Sequence, residues 1–102
     1  MAIPENETRL DQAALADLLA AGAWRREGTA LTRTFTFKGF KGAMAFANRV
    51  AAAANEANHH PDVHVERYRT VRIVLTTHAT GGISDADVDL ARRIEELETP
   101  SD

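Results

Sequence analysis

The spacing of apolar residues along the chain shifts between helical and strand periods, and the shifts mark out its elements. Leu15, Leu18 and Leu19 lie at helical spacing. Thr8 and Asp11 precede them as a capping-box pattern with an acid in place of the usual Glu, and Gly22 follows them as a stop. Trp24 to Glu27 reads as a short strand turned by Gly28. Leu31 to Phe37 alternates, with Leu31, Arg33, Phe35 and Phe37 on one side and Thr32, Thr34 and Thr36 on the other. Threonine and aromatic residues suit a strand there.

Gly39 and Gly42 frame the start of a longer helix, whose face is read as Phe40, Met44, Ala47, Val50, Ala51 and Ala54. Pro61 is expected to end it, because the residue before a proline avoids helical geometry. That leaves His59 and His60 at or just past the helix C-terminus. Val63 to Tyr68 and Val71 to His78 read as two strands. In the second, Val71, Ile73, Leu75 and Thr77 share one face, and Arg72, Val74, Thr76 and His78 the other. Beyond the Gly81-Gly82 turn, Ser84 and Asp87 form a second acid-for-Glu capping box, with Ile83 and Val88 in the positions of a hydrophobic staple. Leu90, Ile94 and Leu97 form the buried stripe of the last helix. The order α-β-β-α-β-β-α predicts an α+β fold, a four-stranded antiparallel sheet with the helices packed on one face. The tail, Glu98 to Asp102, is expected to fray.

The 102 residues read as one domain, 1–102. A chain of this size buries roughly two thirds of the surface that its unfolded form exposes, enough for a core without metals or disulfides. Apolar content of 44% and charged content of 26% are ordinary for a soluble globular protein. A net charge of −3 argues against a general nucleic-acid binder, since there is no basic excess to displace counterions from phosphate. The absence of cysteine excludes a disulfide framework and a thiolate zinc site. Met1 to Asp11 has no signal-peptide pattern, and no apolar run approaches a bilayer span, so a cytoplasmic protein without membrane contact is expected.

The candidate chemistry lies in the histidines. All of them, His59, His60, His64 and His78, fall in one stretch around a helix end and a strand end. Histidine is the side chain whose unperturbed pKa, about 6.5, lets it exchange a proton near neutral pH. Each residue also has an ordinary structural use. Paired histidines at a helix end can cap carbonyls and suit the helix dipole. His78 can simply end a strand, Tyr68 can be a sheet aromatic, and Asp87 is wanted as a cap acid in any case. His64 is read as an exposed strand residue. A zinc site is a rival reading, but adjacent histidines chelate one ion poorly, and Pro61 interrupts the His60–His64 spacing that a helix would need.

Over nearly its whole length the chain resembles the pterin-4a-carbinolamine dehydratases. Their signature runs from an acidic residue through three residues to His-His-Pro, then five or six to an aromatic, nine to a histidine, and eight or more to an aspartate. Here His59-His60-Pro61 is followed by six residues to Tyr68, nine more to His78 and eight more to Asp87. Thr76-Thr77-His78 and Gly81-Gly82 are also typical of bacterial members. One position departs: the opening acid falls on Asn55. Glu56 is next, but about 100° further round a helix. Either Glu56 substitutes through a local change at the helix end, or the site lacks that carboxylate.

The resemblance implies a small-molecule pterin substrate with a hydroxyl on carbon 4a beside the N5 hydrogen, and loss of water to give the quinonoid dihydropterin. One proton must reach the departing hydroxyl and one must leave N5, which imidazoles can do without metal or cofactor. His59, His60 and His78 are the expected catalytic residues, with acid and base unassigned. Glu56, Pro61, Tyr68 and Asp87 are the expected substrate contacts. The resemblance further implies a homodimer or homotetramer. Its alternative is a non-catalytic dimerisation or assembly cofactor on the same fold, a role that Asn55 favours and the histidine trio opposes.

Overall fold

The computed structural model describes residues 3–97, so the tail from Glu98 lies outside the described residues. Three helices, α1 (Gln12–Ala20), α2 (Phe40–Ala57) and α3 (Asp85–Glu95), accompany four strands, β1 (Arg25–Glu27), β2 (Ala30–Thr36), β3 (Asp62–Glu66) and β4 (Thr70–Leu75). Two single 3-10 turns, Glu5–Glu7 and His78–Thr80, complete the order. The sheet runs β1-β2-β4-β3, with every neighbouring pair antiparallel. The expected α-β-β-α-β-β-α arrangement is the observed one.

Alternation explains the core. Val71, Ile73 and Leu75 of β4 are fully buried, while Thr70, Arg72 and Val74 between them are only half-covered. Leu31 of β2, Leu18, Trp24, Val50, Leu90 and Ile94 close over the same face. Phe46 of α2 sits at the centre, its ring 4.5 Å from that of Phe35 and 5.3 Å from that of Phe37.

The phase of α2 differs from the one read in the sequence. Ala43, Phe46, Ala47, Val50, Ala53 and Ala54 face inward, whereas Ala51 is exposed, Phe40 is 57% exposed and Met44 37%. Alanines occur all round this helix, so small apolar residues do not define its face. The bulk of Phe46 does, since its burial removes far more apolar surface from water than any alanine. The helix also ends differently. Asn58 takes a left-handed conformation (φ 52°, ψ 40°), and its N–H and that of His59 turn back to the carbonyls of Ala54 and Asn55. Asparagine tolerates that conformation, so Asn58 stops the helix before Pro61 can.

Other boundaries move by a few residues. Asp11, not Thr8, caps α1: its Oδ1 accepts from the N–H groups of Ala13 and Ala14 at 3.0 and 3.2 Å, while Thr8 closes the first 3-10 turn. β3 stops at Glu66 because Arg67 and Tyr68 both have positive φ (50° and 56°) and make the turn into β4. β4 stops at Leu75, so His78 opens a 3-10 turn and does not end a strand. The capping box of Ser84 and Asp87 forms as expected.

Candidate active site

The left-handed turn at Asn58 throws the chain from the end of α2 across the start of α3, and it carries His59 into the protein. Only 7% of His59 remains exposed. Its Nε2 lies 2.6 Å from Oδ1 of Asp87, a residue with no exposed surface. Asp87 stands at the third position of α3, where its other oxygen accepts the N–H of Ser84 at 2.9 Å and the hydroxyl of Thr77 at 2.7 Å. A threonine hydroxyl has one proton to give, so the Ser84 hydroxyl donates in turn to Thr77 Oγ1, 2.7 Å away. With donors filling Oδ2, Asp87 is an acceptor-only carboxylate, and Nε2 of His59 must carry the hydrogen of the third bond. The capping acid and the histidine partner are one residue.

Electrostatics follow from this packing. The hydrogen bond to Asp87 raises the pKa of His59 from its ordinary 6.5; burial opposes the rise, and the charges of Asp87 and then Glu7 add to it. The result is a buried imidazole biased toward its charged form, with Nε2–H engaged and Nδ1–H left as the proton it can give.

His60, next in the chain, is exposed. Its Nε2 lies 3.2 Å from Oδ1 of Asn55, one turn back on α2. With that amide oxygen as acceptor, Nε2 carries the hydrogen, and in the neutral ring Nδ1 is then the nitrogen with the lone pair. Asn55 thus orients His60 but brings no charge. Pairing of Asp62 with Val74 sets the start of β3 beside the end of β4, which brings Pro61 and His60 to the same end of the hairpin as Thr76 to His78. Thr77, tied to Asp87, anchors the exposed His78 there. His59, His60, Pro61, His78 and Asp87 are therefore gathered at one end of the sheet, by three elements.

Two of the expected residues are not brought there. Glu56 points round α2 to α3, where its Oε2 pairs with Arg93 at 2.6 Å, so it does not replace the acid that Asn55 lacks. Tyr68 sits 59% exposed on the β3–β4 turn, at the opposite end of the hairpin from the histidines. Five residues of β3 separate the two ends, about 16 Å of strand. The strand expected through Tyr68 put it on a sheet face; its left-handed turn puts it at a tip. His64 is exposed on β3, as read. Sequence reasoning missed Thr77 and Ser84 as partners of Asp87, although the Thr-Thr-His run and the cap serine marked both. It also missed Glu7, for which no local signal exists. Among the described residues no group of three or more His, Asp or Glu is arranged to hold a metal ion.

Residues 8–97 match the family model for pterin 4 alpha carbinolamine dehydratase. The chain belongs to that family. A relative from Thermomicrobium roseum, provisionally named a pterin-4-alpha-carbinolamine dehydratase, is 53% identical over 90 residues, covering 87% of this chain and 96% of its own. One of the same provisional name from Halobacterium salinarum is 40% identical over 88 residues, 86% of this chain and 94% of that one. Among solved structures, a transcriptional coactivator/pterin dehydratase from Brucella melitensis superposes with a TM-score of 0.74 at 31% identity, covering 85% of this chain and 95% of the other. A pterin dehydratase-like protein described as a RuBisCO assembly factor in the alpha-carboxysome superposes with a TM-score of 0.63 at 25% identity, over 78% and 93%. The matched stretch thus covers the histidine cluster entirely, while Glu7 precedes it.

Proposed function

We propose that this member of the family is an active 4a-hydroxytetrahydropterin dehydratase. The observation that carries the reading is the contrast within the histidine cluster: one buried imidazole bonded to Asp87, which biases it toward its charged form, at the same end of the sheet as two exposed ones. Dehydration needs an acid and a base together. His59 gives its Nδ1 proton to the departing 4a-hydroxyl, the C4a–O bond breaks and water leaves. As N5 loses its proton, the electron pair of the N–H bond forms the N5=C4a double bond of the quinonoid dihydropterin. His60, whose Nδ1 lone pair Asn55 leaves open, or His78 takes that proton, and solvent returns one to His59. Asp87 is too deeply buried to touch substrate and acts through His59; the proton transfers call for no cofactor. A positioned acid or base contributes about 10² to 10⁴ in rate.

The test is a stopped-flow absorbance assay of carbinolamine dehydration with substrate generated in situ. Acceleration over the uncatalysed rate should fall by about a hundredfold in His59→Ala, with large losses in His60→Ala and His78→Ala. A folded wild type that gives no acceleration ends this reading.

A second reading, a non-catalytic assembly or dimerisation helper, is favoured by Phe40, Met44 and Ala51, which leave an apolar stripe on the outer side of α2. It shares with the first the expectation of a homodimer or homotetramer. A single monomeric species in light scattering at micromolar concentration would remove that expectation.

A further inference from the structure

The nitrogen of His59 that Asp87 leaves open faces a second carboxylate. Oε1 of Glu7 lies 3.9 Å from His59 Nδ1, and both side chains are largely withdrawn from water, 8% exposed for His59 and 21% for Glu7. Glu7 reaches this place through a short N-terminal arm that is latched to the start of α3. The N–H of Asp85 donates to the carbonyl of Arg9 at 2.8 Å, and the N–H of Asp11 donates to Oδ1 of Asp85 at 2.7 Å. Ahead of the latch, the 3-10 turn Glu5–Glu7 is closed by Thr8, whose N–H and hydroxyl both donate to the Glu5 carbonyl at 3.1 and 2.9 Å. The neighbouring acid of the turn, Glu5, is spent outward on Arg9 at 2.7 Å. The two acids of one turn therefore differ: Glu5 is a solvated surface charge, and Glu7 is turned inward over an imidazole.

We infer that Glu7 is a positioning residue of the site, which holds His59 in its proton-donating form by facing Nδ1 with a carboxylate. The charged groups that face His59 are Asp87 from α3 and Glu7 from the arm, and His60 follows it in the chain, paired with the neutral Asn55. Nδ1 is the nitrogen that must release a proton in the dehydration, so a negative charge on that side both keeps the proton in place at higher pH and fixes the ring against rotation. At 3.9 Å the carboxylate attracts without closing a hydrogen bond, so the proton remains transferable. Glu7 lies just ahead of the stretch that the family model matches.

Its kinetic consequence rests on the dehydratase reading above, and its electrostatic consequence does not. The experiment therefore has two parts on wild type, Glu7→Gln, Glu7→Asp and, as a control of equal charge change, Glu5→Gln. The first is an NMR titration of the histidine rings, with His59 assigned by a His59→Asn variant. The second is the pH profile of dehydration. In Glu7→Gln the His59 midpoint should move to lower pH, and the ratio of alkaline to acidic rates should drop by on the order of threefold. Glu7→Asp should recover much of both, and Glu5→Gln should move neither. An unmoved His59 midpoint in Glu7→Gln, or an equal movement in Glu5→Gln, overturns the role of Glu7. If wild type has no dehydratase activity, the titration still decides the electrostatic role while the dehydratase reading fails by itself.

Discussion

Replacing Asp87 by asparagine tests the central claim about the site, because Asp87 has three donors and no exposed surface. The amide is nearly isosteric but brings two hydrogens of its own. Its oxygen must serve either His59 or the Thr77–Ser84 pair, and its NH₂ must face the other. Facing Thr77 and Ser84, it would oppose both the Thr77 hydroxyl and a fixed N–H. Facing His59, it is accommodated if His59 becomes neutral with its hydrogen on Nδ1. The Asp87→Asn variant therefore selects an uncharged His59. Hydrogen bonds to a charged group are worth about 1.5–3 kcal/mol each, against about 0.5–1.5 for neutral ones, so the variant should lose about 3 kcal/mol at neutral or mildly acidic pH. A domain stable by about 5–15 kcal/mol remains folded after such a loss. The pH dependence carries the refutation. His59 has a folded pKa raised above its ordinary 6.5, so its contribution is fully present below 6.5 and is lost as pH rises through the folded value. Urea unfolding at about pH 6 and about pH 8.5 should show the gap between wild type and Asp87→Asn narrowing toward alkaline pH. A gap that stays constant or widens would mean that His59 is not held charged by Asp87, and the acid role assigned to it would fall.

Thr77→Val removes a buried hydroxyl that donates to Asp87 and accepts from Ser84, and should cost about 1–3 kcal/mol in urea unfolding while lowering dehydration less than His59→Ala does. Asn55→Asp puts a carboxylate beside His60, the candidate base, and should move the acidic limb of the dehydration profile to higher pH; an unchanged profile would separate His60 from the chemistry. Arg67→Gly relieves a left-handed residue at φ 50° and should raise stability by about 1 kcal/mol, read as a higher denaturation midpoint with an unchanged slope. Phe46→Ala empties the centre of the core beneath Phe35 and Phe37 and should cost about 3–5 kcal/mol, enough to show as a large drop in thermal midpoint.

The order of elements was legible in the chain because each is written in local pattern. Alternation at Val71, Ile73 and Leu75 makes a strand buried on one side, and Ser84 with Asp87 starts a helix wherever that segment lies. The histidine spacing marked the family. Errors arose where a local pattern was degenerate. Alanines on all sides of α2 let two faces pass for the core, and packing of Phe46 on Phe35 and Phe37 chose between them. Tyr68 has strand propensity but is held in a left-handed turn, since the hairpin register leaves no room to extend β3.

Which side chains are of a type that titrates near neutral pH, and roughly where each sits in the secondary structure, was legible in the chain's local pattern, because propensities, caps and periods act over a few neighbouring positions. Their surroundings were not fixed until the chain folded. Burial of one histidine against a capping acid 28 residues away, exposure of its neighbour, diversion of Glu56 to Arg93 and the turning of Glu7 toward His59 all depend on contacts between distant segments. Charge, solvent and hydrogen-bond partners set the state of an imidazole, and those are properties of the folded neighbourhood, not of the residue's place in the chain.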